Sequence, residues 1–264
     1  MSISMKKNTI KNAIKNIIIF LLSLGCFVVL WDRIAGFYDP KLFPKSGRIL
    51  TDLINVVLLP NTYSHLWASF GLVLQAFLLS ILIALPTALL CFNYRLFSKI
   101  ILPYHEFIRY IPVPALVPFC AAILGVGDST KIVLVFIGTY FQMLFLFISN
   151  LESITKGFFD TAKTLGIKGI DLTRKITLRA AAPDLLDSIR VTFAWSWSYL
   201  LVAEVVNSNK GIGYAVMQSY RALNMPRLIS YILIIGIFGI IMDWLLKTVR
   251  SKLCPYIKYS SSQH

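Results

Sequence analysis

The sequence predicts an all-α polytopic membrane protein with about six transmembrane helices. Two observations carry this prediction. The 264 residues are 57% hydrophobic and only 14% charged, with a mean hydropathy of +0.72, and the apolar residues are collected in runs. These runs approach the roughly 20 residues that a helix needs to cross a bilayer. The cations lie mostly between the runs and are unevenly distributed, as they are around membrane spans.

The first apolar run, Ile14–Ile34, follows a cluster of lysines. No small-x-small cleavage site follows the run, so we expect an uncleaved span that enters from the cytoplasm, within an N-terminal segment of residues 1–36. Residues 37–62 are predicted to be an outer interfacial segment, because Ile49–Leu59 is amphipathic. The lysines before and at the start of the first run are Lys6, Lys7, Lys11 and Lys15.

Three further runs precede a basic loop, and the middle one is irregular. The regular ones are Leu66–Phe92 and Ile132–Ile148. Between them, Ile100–Leu124 contains Pro112 and Pro114, two prolines that each remove a backbone donor from a helix. We therefore predict that this third span is broken or strongly kinked.

Two runs follow the basic loop, Leu185–Val206 and Ile229–Leu246. They complete six spans, and the predicted transmembrane domain covers residues 63–255. A short cytoplasmic tail is expected over residues 256–264. An even number of spans places both termini on the same side of the membrane.

The net charge of +14 is explained by the loops rather than by nucleic-acid binding. Sixteen cations fall on the proposed cytoplasmic side and eight on the outer side, which is the direction of the positive-inside rule. Both termini are therefore predicted to be cytoplasmic. The outer cations are Arg33, Lys41, Lys45, Arg48, Lys131, Lys210, Arg221 and Arg227.

The basic loop Asp160–Pro183 is predicted to form two short helices separated by a Gly-Ile-Lys-Gly break. We expect the first helix to start at Asp160, which would accept hydrogen bonds from free backbone N–H groups there. We expect it to stop at Gly166, since glycine commonly ends helices. The second should begin at Asp171. A pair of short helices at a membrane surface is suited to insertion into another protein.

This loop resembles the EAA loop of the inner-membrane permease subunits of binding-protein-dependent ABC importers. That pattern is Glu-Ala-Ala, three residues, Gly, nine residues, then Ile-x-Leu-Pro. The spacing is kept here, with Asp for Glu, Thr for the first Ala and Arg179 for the Pro. The matching positions are Asp160, Thr161, Ala162, Gly166, Ile176 and Leu178.

The resemblance extends over about residues 63–253 and is to the nitrate, sulfonate and taurine permease subfamily. Similar residues fall in the same order along the chain. They are His65, Leu66, Ser69, the proline-rich third span, Ala203, Glu204 and Gly211 to Tyr214.

The resemblance implies the type I ABC importer permease fold with cytoplasmic coupling helices, in the bacterial inner membrane. It implies four kinds of partner: two copies of an ATPase subunit, a second permease subunit forming a homodimer, an extracytoplasmic substrate-binding protein, and membrane lipid. The implied substrate is a small anion such as a sulfonate, taurine, nitrate or bicarbonate. The implied ATPase-coupling residues are Asp160, Thr161, Ala162, Leu165, Gly166, Ile176 and Leu178.

The sequence contains no recognisable catalytic residues, and we expect no enzyme activity, cofactor or metal. Gly125 to Lys131 lacks the Gly-Lys-Ser/Thr ending of a phosphate-binding loop, so ATP hydrolysis would belong to a partner. Two other functions stay open. One is transport of a vitamin precursor such as a thiamine pyrimidine, and the other is a membrane scaffold. An intramembrane enzyme is disfavoured.

Ionisable residues inside the spans are candidates for the translocation path, because a charge at mid-membrane is costly. The alternative to a path role is intramembrane pairing, or a position near a helix end from which a long side chain reaches the headgroups. For Arg109 and Glu204 the path role and this alternative stand equal. For Arg190 and Asp243, which are nearer the cytoplasmic ends, the alternative is favoured. The candidate path residues are Arg109, Pro112, Pro114, Trp195 and Glu204.

Overall fold

The computed structural model describes residues 2–206 and 208–255, and side chains from residue 15 onward except residue 17. Within these ranges all regular secondary structure is helical. The predicted tail, residues 256–264, lies outside the described residues. The helices are α1 (Ser2–Ala35), α2 (Ser46–Leu58), α3 (Pro60–Asn93), α4 (Arg95–Arg109), α5 (Val113–Leu124), α6 (Asp128–Glu152), α7 (Lys156–Thr164), α8 (Ile170–Leu172), α9 (Leu178–Val206), α10 (Ile212–Arg221) and α11 (Met225–Leu253).

In this part of the chain, five helical segments are long and apolar enough to cross a membrane, and a bent pair makes a sixth if it counts as one span. The prediction of an all-α protein with about six spans is thus confirmed. The five segments are Ile18–Ala35, Pro60–Asn93, Asp128–Glu152, Ile170–Val206 and Met225–Leu253.

The third predicted span is the bent pair, α4 and α5, whose axes differ by 100°. Helix α4 ends at Arg109, and α5 starts at Val113 after Pro112, which has an extended backbone conformation (ψ 121°). Proline at this position disfavours a helical conformation for the residue before it, which separates the two helices. The predicted break is confirmed, and it takes the form of a sharp corner.

The chain divides into two compact units. The first comprises Met1–Leu59 and Val216–Ile234, and the second comprises Pro60–Ala215 and Ile235–His264. In the second unit, α6 packs against both α3 and α9. Helix α3 presents a stripe of small buried residues four positions apart, which lets helix backbones approach closely. The stripe consists of Ala76, Ser80, Ala84 and Ala88.

In the first unit, the end of α1 is fastened to the start of α2. The Asp32 carboxylate accepts hydrogen bonds from the backbone N–H and the hydroxyl of Ser46, at 2.7 and 2.8 Å. The Trp31 indole N–H donates to the Pro44 carbonyl at 2.9 Å. Helix α2 covers the predicted amphipathic segment Ile49–Leu59 and buries Ile49 and Val56.

The basic loop differs from its prediction in two respects. Its first helix is α7, which begins at Lys156, so Asp160 lies inside the helix and pairs with Lys163 at 3.3 Å. The prediction that Asp160 caps the helix is wrong, because Thr155 occupies the N-cap position. The helix ends at Thr164 with Leu165 as its C-cap, and Gly166 follows at once in a left-handed conformation, as the predicted glycine stop requires.

The predicted second short helix is not a separate element. From Ile170 the chain continues through α8 and a π-helical turn, Thr173–Thr177, directly into α9. Arg179 lies in the first turn of α9, at the position where the resembled pattern has proline. Because arginine keeps its backbone N–H, no helix-breaking residue separates the loop from the span at this point.

Candidate functional site

The corner between α4 and α5 borders a cavity of about 300 Å³ in the second unit. Its walls come from the corner itself, from α6 and from Tyr199 on α9. Three of the predicted path residues, Arg109, Pro112 and Pro114, line it together. The cavity is therefore a product of the proline break, since a straight helix would not turn its residues around a space.

Arg109 is the cation of this cavity, and aromatic rings hold it. Its guanidinium carbon lies 4.1 Å from the centroid of the Phe145 ring and 4.9 Å from that of Tyr110. Its Nη2 donates to the Tyr110 hydroxyl at 3.1 Å. The nearest carboxylate, Glu106, is 3.9 Å away and half exposed, with 54% of its side chain accessible. Ring faces stabilise a cation without neutralising its charge.

The guanidinium of Arg109 also has unused hydrogen-bonding capacity. Its Nε is buried and has no partner among the described residues, although its side chain is 17% exposed. Guanidinium groups form paired hydrogen bonds with planar or tetrahedral oxyanions. A partly exposed arginine of this kind beside a cavity can bind a small anion.

Helices α4 and α6 are held in register by two contacts one turn apart. The buried His105 ring donates from Nε2 to the Phe141 carbonyl, at 2.7 Å. One helical turn further along each helix, Arg109 lies over the ring of Phe145. Residues four apart share a helix face, so the histidine contact fixes where the arginine lies.

Gly138 on α6 allows the cavity walls to come together. A Cβ at this position would be 2.7 Å from ring atoms of Tyr199 and 2.7 Å from a methyl carbon of Val113. Such contacts are too short for real atoms, so α5 and α9 can approach α6 this closely only at a glycine. Gly138, Gln142 and Tyr199 also line the cavity but are not among the predicted path residues. The sequence signal for them is weak, because it consists only of polar residues and a glycine within apolar runs.

Glu204 lies in a different environment and does not line this cavity. Its side chain is 1% exposed, and its two oxygens accept from the Ser69 hydroxyl at 2.7 Å and from the Gly213 N–H at 2.8 Å. The Ser69 oxygen in turn accepts from the Ile212 N–H, at 2.8 Å. Glu204 therefore fastens the start of α10 to α3 and α9.

The two glycines of this segment are required by the same carboxylate. At Gly211, where φ is +119°, an added Cβ would collide with the Glu204 carboxylate. At Gly213, it would be 2.8 Å from the Glu204 Cβ. The Ala203-Glu204 and Gly211–Tyr214 elements of the resemblance are thus parts of one structural cluster. A role for Glu204 in the path stays a prediction.

The remaining span charges form ion pairs near the end of α11. The Arg190 guanidinium contacts the Asp243 carboxylate and lies 3.8 Å from Asp187. Asp187 also pairs with Arg250, at 2.7 Å. The pairing expected for Arg190 and Asp243 is confirmed. Trp195 is 38% exposed and does not line the cavity; its path role stays a prediction.

Helix α7 in the basic loop ends in a well-defined turn. The Gly166 N–H bonds to the Lys163 carbonyl and the Ile167 N–H to the Ala162 carbonyl, both at 3.0 Å, with Gly166 at φ +70°. This is the Schellman arrangement, which needs a left-handed residue at the glycine position. The turn fixes the direction in which the chain leaves α7.

Helix α7 buries one residue and leaves large apolar side chains exposed beside it. Ala162 is 1% exposed, and the Phe159 ring is 6.2 Å from that of Phe92 on α3. Phe158 and Leu165, which flank Ala162 on the same side of the helix, are 53% and 69% exposed. Large apolar side chains left exposed together on a basic loop indicate a surface that binds another protein.

The helical fold is that of an ABC importer permease, as two solved structures show. A solved structure of a methionine ABC transporter in an inward-facing conformation has a TM-score of 0.60 to this chain at 19% identity, covering 73% of this chain and 94% of its own. An amino acid ABC transporter structure has a TM-score of 0.59 at 15% identity, covering 74% of this chain and 92% of its own.

The chain belongs to the family of binding-protein-dependent transport system inner membrane components, whose model matches residues 76–253. It is 30% identical over 260 residues to a protein of Methanocaldococcus jannaschii described as an ABC transporter permease, covering 95% of this chain and 94% of that protein. It is 22% identical over 245 residues to the taurine transport system permease protein of Escherichia coli, covering 89% of each. The predicted family is confirmed.

Proposed function

We propose that this permease forms the translocation path for a small organic or inorganic anion and that Arg109 contacts the anion on its way through. The observation that carries the proposal is a guanidinium beside a cavity of about 300 Å³, whose nearest carboxylate among the described residues, that of Glu106, is 3.9 Å away. Sulfonates, taurine, nitrate and bicarbonate are the candidate anions. Similarity to the taurine permease supports the first two.

Transport by this chain is driven by a partner. We infer that α7 and the following turn, which lead into and begin the loop 160–183, insert into an ATPase subunit through the exposed Phe158 and Leu165. Two ATPase copies would bind two copies of the permease, with an extracytoplasmic substrate-binding protein delivering the anion. Closure of the ATPase pair on ATP would displace α7, and the continuous path from Ile170 into α9 would carry that motion into the span.

An uptake assay with matched arginine variants tests the anion proposal. The chain is expressed with its ATPase and binding protein in cells lacking other importers, and uptake of labelled taurine, alkanesulfonate, nitrate and bicarbonate is measured. For the transported anion, Arg109→Gln should raise the half-saturating concentration about tenfold or more, since hydrogen bonds to charged groups contribute about 1.5–3 kcal/mol.

The control is Arg95→Gln, which changes an exposed arginine at the other end of α4. It should leave uptake unchanged. Equal kinetics for Arg109→Gln and the unaltered permease would contradict the role of Arg109. Absence of any uptake that depends on this chain, with all partners present, would favour the scaffold function instead.

A further inference from the structure

The first unit contains a second groove, at the junction of α1 and α2, with a volume of about 470 Å³. It is separate in sequence from the cavity at Arg109 and serves no step of the proposed transport. Two of its lining side chains are cations, Arg33 and Lys45, and one is the carboxylate of Asp32. The rest of the lining is Val29, Gly36, Phe37.

The groove is bordered by residue types that are typical of a membrane–water interface. Trp31 stacks on Phe43 with ring centroids 4.4 Å apart, and Tyr38 lies 5.7 Å from Phe43. Tryptophan and tyrosine collect at membrane interfaces. Helix α2, which follows directly, is amphipathic and leaves Leu50 and Leu58 59% and 75% exposed, as a helix lying in the interface does.

The protein neutralises the two cations of the groove only in part. Among the described residues, neither Arg33 nor Lys45 forms an ion pair within 4 Å or a side-chain hydrogen bond, although Lys45 attracts the Asp32 carboxylate over a longer distance. The only carboxylate in the lining is that of Asp32, and each of its two oxygens accepts a hydrogen bond from Ser46. Two cations against one carboxylate leave a net charge of +1, which matches a single phosphodiester.

The walls of the groove are also arranged as a lipid would require. Val29 lies on the α1 span and is 58% exposed, and Phe37 is 88% exposed at the mouth. The apolar wall on the span side matches an acyl chain, and the cations at the end of this wall match a headgroup phosphate. The bonds from Asp32 to Ser46 and from Trp31 to Pro44 hold the groove in shape without a ligand.

We propose that this groove binds the phosphodiester headgroup of an anionic phospholipid, with Arg33 and Lys45 on the phosphate and Val29 and Phe37 against the acyl chain. A free phosphate would use the cations but gain nothing from the apolar wall. A zwitterionic lipid brings its own cation, which Arg33 and Lys45 repel. The bound lipid would link the end of α1 and the start of α2 to the bilayer.

Native mass spectrometry of the full chain in detergent tests this assignment. The probes are phosphatidylglycerol, phosphatidylcholine and inorganic phosphate, and the occupancy of the first bound molecule is measured. The unaltered protein should bind phosphatidylglycerol in preference to phosphatidylcholine. The double variant Arg33→Gln with Lys45→Gln should bind phosphatidylglycerol about thirtyfold more weakly, because each of the two basic residues contributes ~1 kcal/mol near an anionic surface and about 1.4 kcal/mol corresponds to a factor of ten.

The matched control is Lys41→Gln with Arg48→Gln, which removes the same charge from the same segment without altering the groove lining. It should keep most of the binding. Equal loss of phosphatidylglycerol binding in both double variants would mean that the lipid is attracted by the overall positive charge of the segment, and this would overturn the proposed site. Unchanged binding in the Arg33/Lys45 variant would overturn it too. Displacement of phosphatidylglycerol by inorganic phosphate at equal concentration would overturn the lipid assignment.

Discussion

At the scale of single residues, two ionisable side chains of the second unit are held in different ways. Arg109 is stabilised by ring faces, keeps its full charge and borders a cavity. Glu204 has both oxygens satisfied by groups of the protein and is sealed from the surface. The first arrangement leaves interactions available to a solute. The second uses them to hold the backbone, so we expect Glu204 to affect stability more than solute binding.

The role of Glu204 can be tested by its truncation. Glu204→Ala leaves the Gly213 N–H without its acceptor in a buried place, which costs about 1–3 kcal/mol for each unsatisfied group. The purified variant should therefore melt at a lower temperature. Glu204→Gln should lose less, because an amide oxygen can still accept from Gly213.

Glu152→Ala is the control for this measurement, since Glu152 is an exposed glutamate at the end of α6. It should melt like the unaltered protein. If Glu204→Ala also melts at the temperature of the unaltered protein, the hydrogen bonds of Glu204 do not stabilise the fold.

At the scale of elements, the corner between α4 and α5 is the feature on which the cavity depends. Pro112→Ala combined with Pro114→Ala restores two backbone donors and lets α4 and α5 approach one continuous helix. We expect reduced uptake, because Arg109 would turn away from the cavity, while the ATPase stays bound. Uptake and co-purification of the ATPase are measured together.

The control for the corner is Pro118→Ala, inside α5 and outside the cavity lining. Uptake should survive in this variant. Full uptake by the Pro112/Pro114 double variant would show that the corner is not needed for the path.

The turn after α7 is the second critical element. Gly166→Val forces a β-branched side chain to adopt φ near +70°, at a cost on the order of 1 kcal/mol or more. The permease should insert normally but lose co-purification of its ATPase and ATP-dependent uptake.

Gly127→Val introduces the same side chain at an extended glycine with open space around it, and serves as the control. It should keep both the partner and uptake. A Gly166→Val protein that retained both at normal expression would exclude this turn as the coupling element.

The sequence predicted most of these elements, because they depend on local chemistry. The spans follow from apolar runs, the corner from Pro112 and Pro114, and the turn from Gly166. The errors concern helix ends: Asp160 is inside α7 because the helix begins earlier, at Lys156. The second loop helix continues into α9 because no helix-breaking residue lies directly before Leu178. The absence of such a residue is a weaker sequence signal than the presence of a proline or a glycine.

The cavity lining was less accessible to sequence reasoning. Gly138 and Tyr199 are 61 positions apart and meet only because α6 packs on α9. The Glu204 cluster likewise joins Ser69 to a carboxylate 135 positions later. Such pairings follow from helix packing and not from any local pattern.

At the scale of the whole molecule, the predicted topology can be measured by cysteine labelling. Single cysteines replace Lys45, Lys168 and Asn209 after the native Cys26, Cys91, Cys120 and Cys254 are removed. In intact cells a membrane-impermeant reagent should modify positions 45 and 209 only. Position 168 should react after permeabilisation. Labelling at 168 in intact cells would contradict the arrangement.

Transport of a small anion past Arg109 is tested most directly by ATP-driven uptake into proteoliposomes. The proteoliposomes contain the permease, its ATPase and its binding protein. Labelled taurine, alkanesulfonate, nitrate and bicarbonate are supplied in turn. We predict that one of these anions accumulates only when ATP and all three proteins are present, and that Arg109→Gln greatly reduces its accumulation. Accumulation only of a solute that carries no anionic group, or of one of these solutes without dependence on Arg109, would contradict the proposal.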